Sequence, residues 1–88
     1  MVIVNQLTSE ELILLGVLED NDATATFKAI KRKDMESQSE LKSWSFRKAL
    51  SNLREKALID IVGREKEHRF YLNEFGMRAL QISLEGVE

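Results

Sequence analysis

The stretch LREKALIDIVGREKEHRFYLNEFG, Leu53 to Gly76, carries the end of a charged amphipathic pattern into two short β-like runs around the polar turn GREKEH. LIDIV and RFYL are rich in β-branched and aromatic residues, which suit a pleated, half-buried surface, and together they predict a β-hairpin. Working backwards, Phe46, Leu50, Leu53 and Ala57 recur at intervals of four, three and four, the spacing that lines one face of a helix. A helix over about residues 43–57 with a single buried seam follows. Trp44, Lys48, Ser51 and Glu55 then lie opposite the seam, with Arg47 and Arg54 on one shoulder and Ser45 and Asn52 on the other. The outward face is cationic and hydrogen-bonding. Ser39 and Ser43 both suit its N-cap, and the pattern does not choose between them. Working forwards, Asn73 can cap a last helix, NEFGMRALQISLEGVE, in which Phe75, Ala79, Ile82 and Leu84 are loosely periodic.

Upstream, LTSEELILLGVLED places Thr8 and Glu11 at the spacing of a capping box, in which each side chain satisfies the other residue's free backbone N–H. Leu7 and Leu12 stand at the positions of a hydrophobic staple. Leu12, Leu15 and Leu18, flanked by Ile13 and Val17, predict a core-facing stripe, and the polar run Asp20 to Asp22 ends the helix. In ATATFKAIKRK, Ala23, Phe27 and Ile30 recur at i, i+4 and i+7 and predict a short second helix. DMESQSE then reads as a polar connection.

Eighty-eight residues enclose one apolar core, so a single domain over 1–88 is expected, with little stability to spare. The chain has no Cys, which rules out a disulfide staple or a Cys-based zinc site and fits a reducing interior. MVIV and LILLGVL are shorter than the roughly 18 to 20 apolar residues of a membrane span, so no membrane partner is expected and the location is read as cytoplasmic. The net charge of −2 conceals a polarity: residues 1–26 hold five acids and no base, whereas residues 27–56 hold nine bases against four acids. Docking responds to the local field, and the middle of the chain is basic.

The order of three helices, a charged-tipped hairpin and a last helix resembles a winged helix-turn-helix. FRKALSNLREKALIDIV resembles the recognition-helix signature of the multiple-antibiotic-resistance (MarR) and phenolic-acid (PadR) regulator families, with Phe46, Leu50, Leu53, Leu58 and Ile59 at its apolar positions. YLNEFGMRAL is similar to the segment that closes the wing in the same families, with Asn73 in place of a capping Thr and Gly76 in register. Upstream, LLGVL and FKAIKRK are similar to the opening of the PadR group. The resemblance spans about residues 7 to 80. It implies an α+β, mainly helical fold with a three-helix core, a wing at 59–72 and a C-terminal helix. Ala57 departs from the pattern, standing where these families place a glycine, and a left-handed backbone there would cost Ala about 1 kcal/mol.

The implied function is binding of double-stranded DNA by a small transcriptional regulator, because an α-helix fits the major groove while phosphate contacts fix its register. Arg47 and Lys48 are the leading contacts, and Ser45, Ser51 and Asn52 can hydrogen-bond to bases or phosphates. Arg64, Lys66 and Arg69 of the wing are placed to reach the neighbouring backbone or minor groove. Trp44 has two readings, packed against the second helix or exposed towards a base. A single module offers few base contacts, so a homodimer through the chain termini is expected, using MVIV together with Met77, Leu80, Ile82, Leu84 and Val87. Catalysis has no visible basis: the one histidine, His68, lies in the hairpin turn, and no nucleophile, base and orienting group converge. No cofactor or metal is called for. The rival function is a winged helix used purely as a protein-interaction module, suggested by the acidic total, Glu55 on the outward face and the mixed charge of the wing.

Overall fold

The computed structural model describes residues 7–63 and 68–85, with helix α1 at Ser9–Asp20, a 3₁₀ turn at Thr26–Lys28, strand β1 at Ile30–Lys31 and helix α2 at Arg32–Ser39. Helix α3 follows at Ser43–Glu55, then strands β2 at Ile59–Val62 and β3 at Arg69–Leu72, and helix α4 at Glu74–Glu85. The sheet order is β1-β3-β2, antiparallel throughout, with Ile59 opposite Leu72 and Val62 opposite Arg69 in the hairpin. This is the winged helix-turn-helix, with α2 and α3 as its paired helices and β2–β3 as its wing.

Helix α1 begins as its sequence demands. The Thr8 hydroxyl accepts from the Glu11 N–H and the Glu11 carboxylate accepts from the Thr8 N–H, each at 3.2 Å. It ends in a Schellman turn, in which the Ala23 N–H reaches the Leu18 carbonyl at 2.8 Å and the Asp22 N–H the Glu19 carbonyl at 2.9 Å. Asp22 takes the left-handed position at φ 57°. The stripe is rotated from the expected one: Leu14, Leu15, Val17 and Leu18 are buried, Leu12 is half-buried and Ile13 is 41% exposed. LILL is apolar on every side, so its periodicity could not select the face.

The expected helix over Ala23 to Lys33 does not form. Ala23 is buried, but Phe27 stands 83% exposed on the 3₁₀ turn, and Ile30 enters the sheet opposite Phe70. The second helix is instead RKDMESQS, the stretch read as a connection, which Met35 alone anchors in the core with Ser39 buried one turn on. With one large apolar residue it shows no periodicity, and Ile30 is recruited by a strand forty residues away. Neither serine caps α3. Ser39 Oγ donates to the Glu36 carbonyl at 2.8 Å and accepts from the Leu41 N–H, closing α2, while Ser43 Oγ donates to the Glu36 carboxylate at 3.2 Å. The N-cap is Lys42, which provides no side-chain cap.

The seam of α3 is as expected, with Phe46, Leu50 and Leu53 buried, together with Ala49. Ala57 leaves it and becomes the left-handed residue of a second Schellman turn, at φ 58°, with the Leu58 N–H on the Leu53 carbonyl at 3.1 Å and the Ala57 N–H on the Arg54 carbonyl at 3.0 Å. Helix α4 docks on this corner. Asn73 caps it by accepting from the Gly76 N–H at 2.8 Å, and its side-chain amide donates to the Ala57 carbonyl at 2.9 Å. A Cβ on Gly76 would lie 2.1 Å from the Leu58 carbonyl oxygen, so only glycine permits this approach. Leu80 is buried and Met77 packs against the core, while Phe75 is 64% exposed and Ile82 also faces outward.

Candidate nucleic-acid interface

The buried seam fixes which face of α3 is presented. Trp44, Arg47, Lys48, Ser51 and Arg54 are exposed, and among the described residues neither Arg47 nor Lys48 has an acidic partner. Trp44 is 63% exposed, which settles its two readings for solvent. Ser45 is half-buried on the flank towards α1, where it lines a small hollow of about 180 Å³ with Thr8, Glu10, Trp44, Lys48, Ala49 and Asn52.

Asn52 makes a contact within the protein. Its side-chain amide donates at 3.0 Å to Glu11, whose carboxylate is 1% exposed and also accepts from Lys56 Nζ at 2.8 Å. Burial pushes the Glu11 carboxyl up, but the hydrogen bonds from Lys56, the Thr8 N–H and Asn52 outweigh it, leaving the group below its ordinary value. A buried carboxylate without such donors would be costly, and here both oxygens are satisfied. Asn52 and Lys56 therefore tie α3 to the head of α1. Capping logic found Glu11 but not this second duty, because the partners lie more than forty residues away.

In the wing, Arg69 is exposed at the tip end of β3, whereas Arg64 and Lys66 lie outside the described residues. Arg69 is paired in register with Lys31 of β1, so two cations stand side by side across the strands. Lys31, Arg32 and Lys33, all exposed at the start of α2, extend this basic surface from the wing to the helix preceding α3, with the Arg32 guanidinium 5.8 Å from the centre of the Phe46 ring. These residues belong to the basic middle of the chain, but their sequence pattern does not mark them as a site, because the helix that carries Arg32 and Lys33 has no apolar periodicity. Among the described residues, no helix is long and apolar enough to cross a membrane.

No protein-family model matches the chain. It is 39% identical over 79 residues to the DNA-binding protein TubR of Priestia megaterium, covering 90% of this chain and 78% of the relative. The solved structure of TubR from Bacillus megaterium pBM400 superposes with a TM-score of 0.83 at 39% identity, over 90% of this chain and 88% of the other. Bordetella bronchiseptica BpsR, whose DNA binding is regulated by 6-hydroxynicotinic acid, superposes with a TM-score of 0.77 at 16% identity, over 93% of this chain and 56% of the other. A MarR-family transcription regulator gives 0.72 at 14% identity, over 93% and 54%. The last two speak for the fold alone.

Proposed function

The chain belongs to the family of the DNA-binding protein TubR, and we propose that it binds double-stranded DNA as a small regulator, with α3 in the major groove. The observation that carries this reading is the relation to TubR. The geometry supports the assignment of parts: the seam of α3 is spent on the core, and its opposite face presents Trp44, Arg47, Lys48 and Ser51 to solvent. Arg47 and Lys48 supply phosphate or base-edge contacts, and Arg69 with Lys31 to Lys33 supplies the flanking backbone contacts that fix register. Asn52, bonded to Glu11, supports the helix from its flank. No catalytic role is assigned.

The reading includes a homodimer, which would present two copies of α3 about 34 Å apart along the duplex. Leu80 is consumed by the protomer's own core and Met77 packs against it, so the apolar surface available on the last helix is Phe75, Ala79 and Ile82. These line an open groove of about 590 Å³ with Leu58, rimmed by Lys56 and Arg78. The remaining expected contacts, residues 1–4, Leu84 and Val87, lie outside the described side chains.

The test is an electrophoretic mobility shift on bulk duplex DNA across a salt series, with sedimentation equilibrium at micromolar protein. Binding that weakens steeply as salt rises supports the reading, since phosphate contacts release counterions. Absence of binding at low salt would refute it in favour of a protein-interaction module, and a monomer at all concentrations would remove the dimer.

A further inference from the structure

Trp44 is a costly residue to leave in water. It occupies the second position of α3, at the end of a recognition helix from which side chains reach base edges. Its indole is 63% exposed, and it borders the 180 Å³ hollow between α3 and the head of α1. Lys48 stands one turn further along on the same side, and Ala49 contributes an apolar wall to that hollow.

The chemistry of this corner selects among the groups a duplex can present. An indole offers one N–H donor and no acceptor, so it cannot make the paired hydrogen bonds that identify guanine or adenine. Glu10 and Lys48 line the same hollow with opposite charges, so the hollow itself offers a phosphate no net positive site. What the apolar ring face can cover on the major-groove side is a small neutral apolar group. The thymine C5-methyl is the only such group that the four bases carry.

We propose that Trp44 is a specificity-determining residue that reads the thymine methyl in the major groove, an inference that rests on the DNA-binding reading above. Its aromatic face covers the methyl while Lys48, beside it, engages the adjoining backbone or base edge. The hollow behind the ring leaves the indole room to adjust to the approach of the base pair.

The test removes the methyl and nothing else. A duplex enriched from a random pool by the wild-type protein is synthesised with thymine or with deoxyuridine at every T, which preserves Watson–Crick pairing. Wild-type protein is expected to bind the uracil duplex about fourfold more weakly for each methyl contacted, the factor corresponding to burial of one such group. Trp44→Ala, checked for a native circular dichroism spectrum, should bind both duplexes equally, and Trp44→Phe should retain part of the preference. Equal binding of the two duplexes by wild type, or undiminished discrimination by Trp44→Ala, overturns the proposal while leaving DNA binding intact. Failure to bind any duplex overturns both.

Discussion

Replacing Ala57 with glycine should make this protein more stable, and the amount follows from the corner at the end of α3. Ala57 holds φ 58°, the left-handed region, where the Cβ of an L-residue crowds the following carbonyl at a cost of about 1–2 kcal/mol. Glycine removes that cost but enlarges the unfolded ensemble, which offsets about 0.4–1 kcal/mol. Ala57 is exposed, so its methyl takes no packing energy with it. The net is a stabilisation of about 0.5–1 kcal/mol, which raises the melting temperature of a domain this small by about 3–6 °C. Thermal unfolding followed by circular dichroism measures it, with DNA affinity expected to be unchanged. Ser51→Gly, on the exposed face of the same helix, is the control and should cost about 0.5 kcal/mol through helix propensity. An Ala57→Gly variant that melts at or below the wild-type temperature would show that the chain does not turn left-handed there.

The converse change at the same corner, Gly76→Ala, drives a Cβ to 2.1 Å from the Leu58 carbonyl oxygen. It should cost at least about 1–3 kcal/mol, and a urea midpoint equal to wild type would remove the close approach of α4. Glu11 contributes to the acid side of stability: its proton is held less tightly in the folded state than the ordinary value of 4.5 implies, so its contribution is full above that pH and is lost as pH falls through the lower folded value. Glu11→Gln should cost about 1–2 kcal/mol at neutral pH and flatten the loss of stability below about pH 4.5; an unchanged acid profile in denaturant titrations would refute the network. Arg47→Ala with Lys48→Ala should leave the fold intact and lower the slope of log affinity against log salt by about 1.8 per subunit, if both contact phosphate. Wild-type slope and wild-type affinity with native circular dichroism would displace the reading face from α3.

The elements with dense, local signals were legible from the chain alone. Thr8 and Glu11 form the capping box their spacing implies, Phe46, Leu50 and Leu53 form the seam, and Ile59–Val62 pairs with Arg69–Leu72 as the hairpin. The second helix was not, because the two cues that govern it are non-local or absent. Met35 is a single apolar anchor in an otherwise polar octet, whereas Phe27 and Ile30 mimic a helical repeat that the chain spends on an exposed turn and a strand. The same limit applies at the site. Arg47 and Lys48 follow from the wheel of α3, since a buried seam fixes its opposite face. Lys31 beside Arg69 depends on strand pairing across the whole domain, and Asn52 bonded to Glu11 depends on how two distant helices cross.

That crossing adds polar ties to one end of α3, whose apolar seam is buried from Phe46 to Leu53. Its C-terminal half is tied three ways: by the Schellman turn at Ala57, by Asn73 on the Ala57 carbonyl, and by Asn52 and Lys56 on Glu11. At its N-terminus Ser43 bonds to Glu36, and among the described residues Lys42 provides no side-chain cap. Trp44 lies about 16.5 Å from Glu55 at 1.5 Å per residue, so a tilt of about 5° at the C-terminal end moves it by about 1.4 Å. That is about half the length of a hydrogen bond, enough to lose a base contact. A buried acid with three donors is an inefficient source of stability, because apolar residues of similar volume serve that end as well or better. It is an efficient way to constrain an angle, since Asn52 and Lys56 reach across from α3 to a carboxylate that the Thr8 N–H holds at the head of α1.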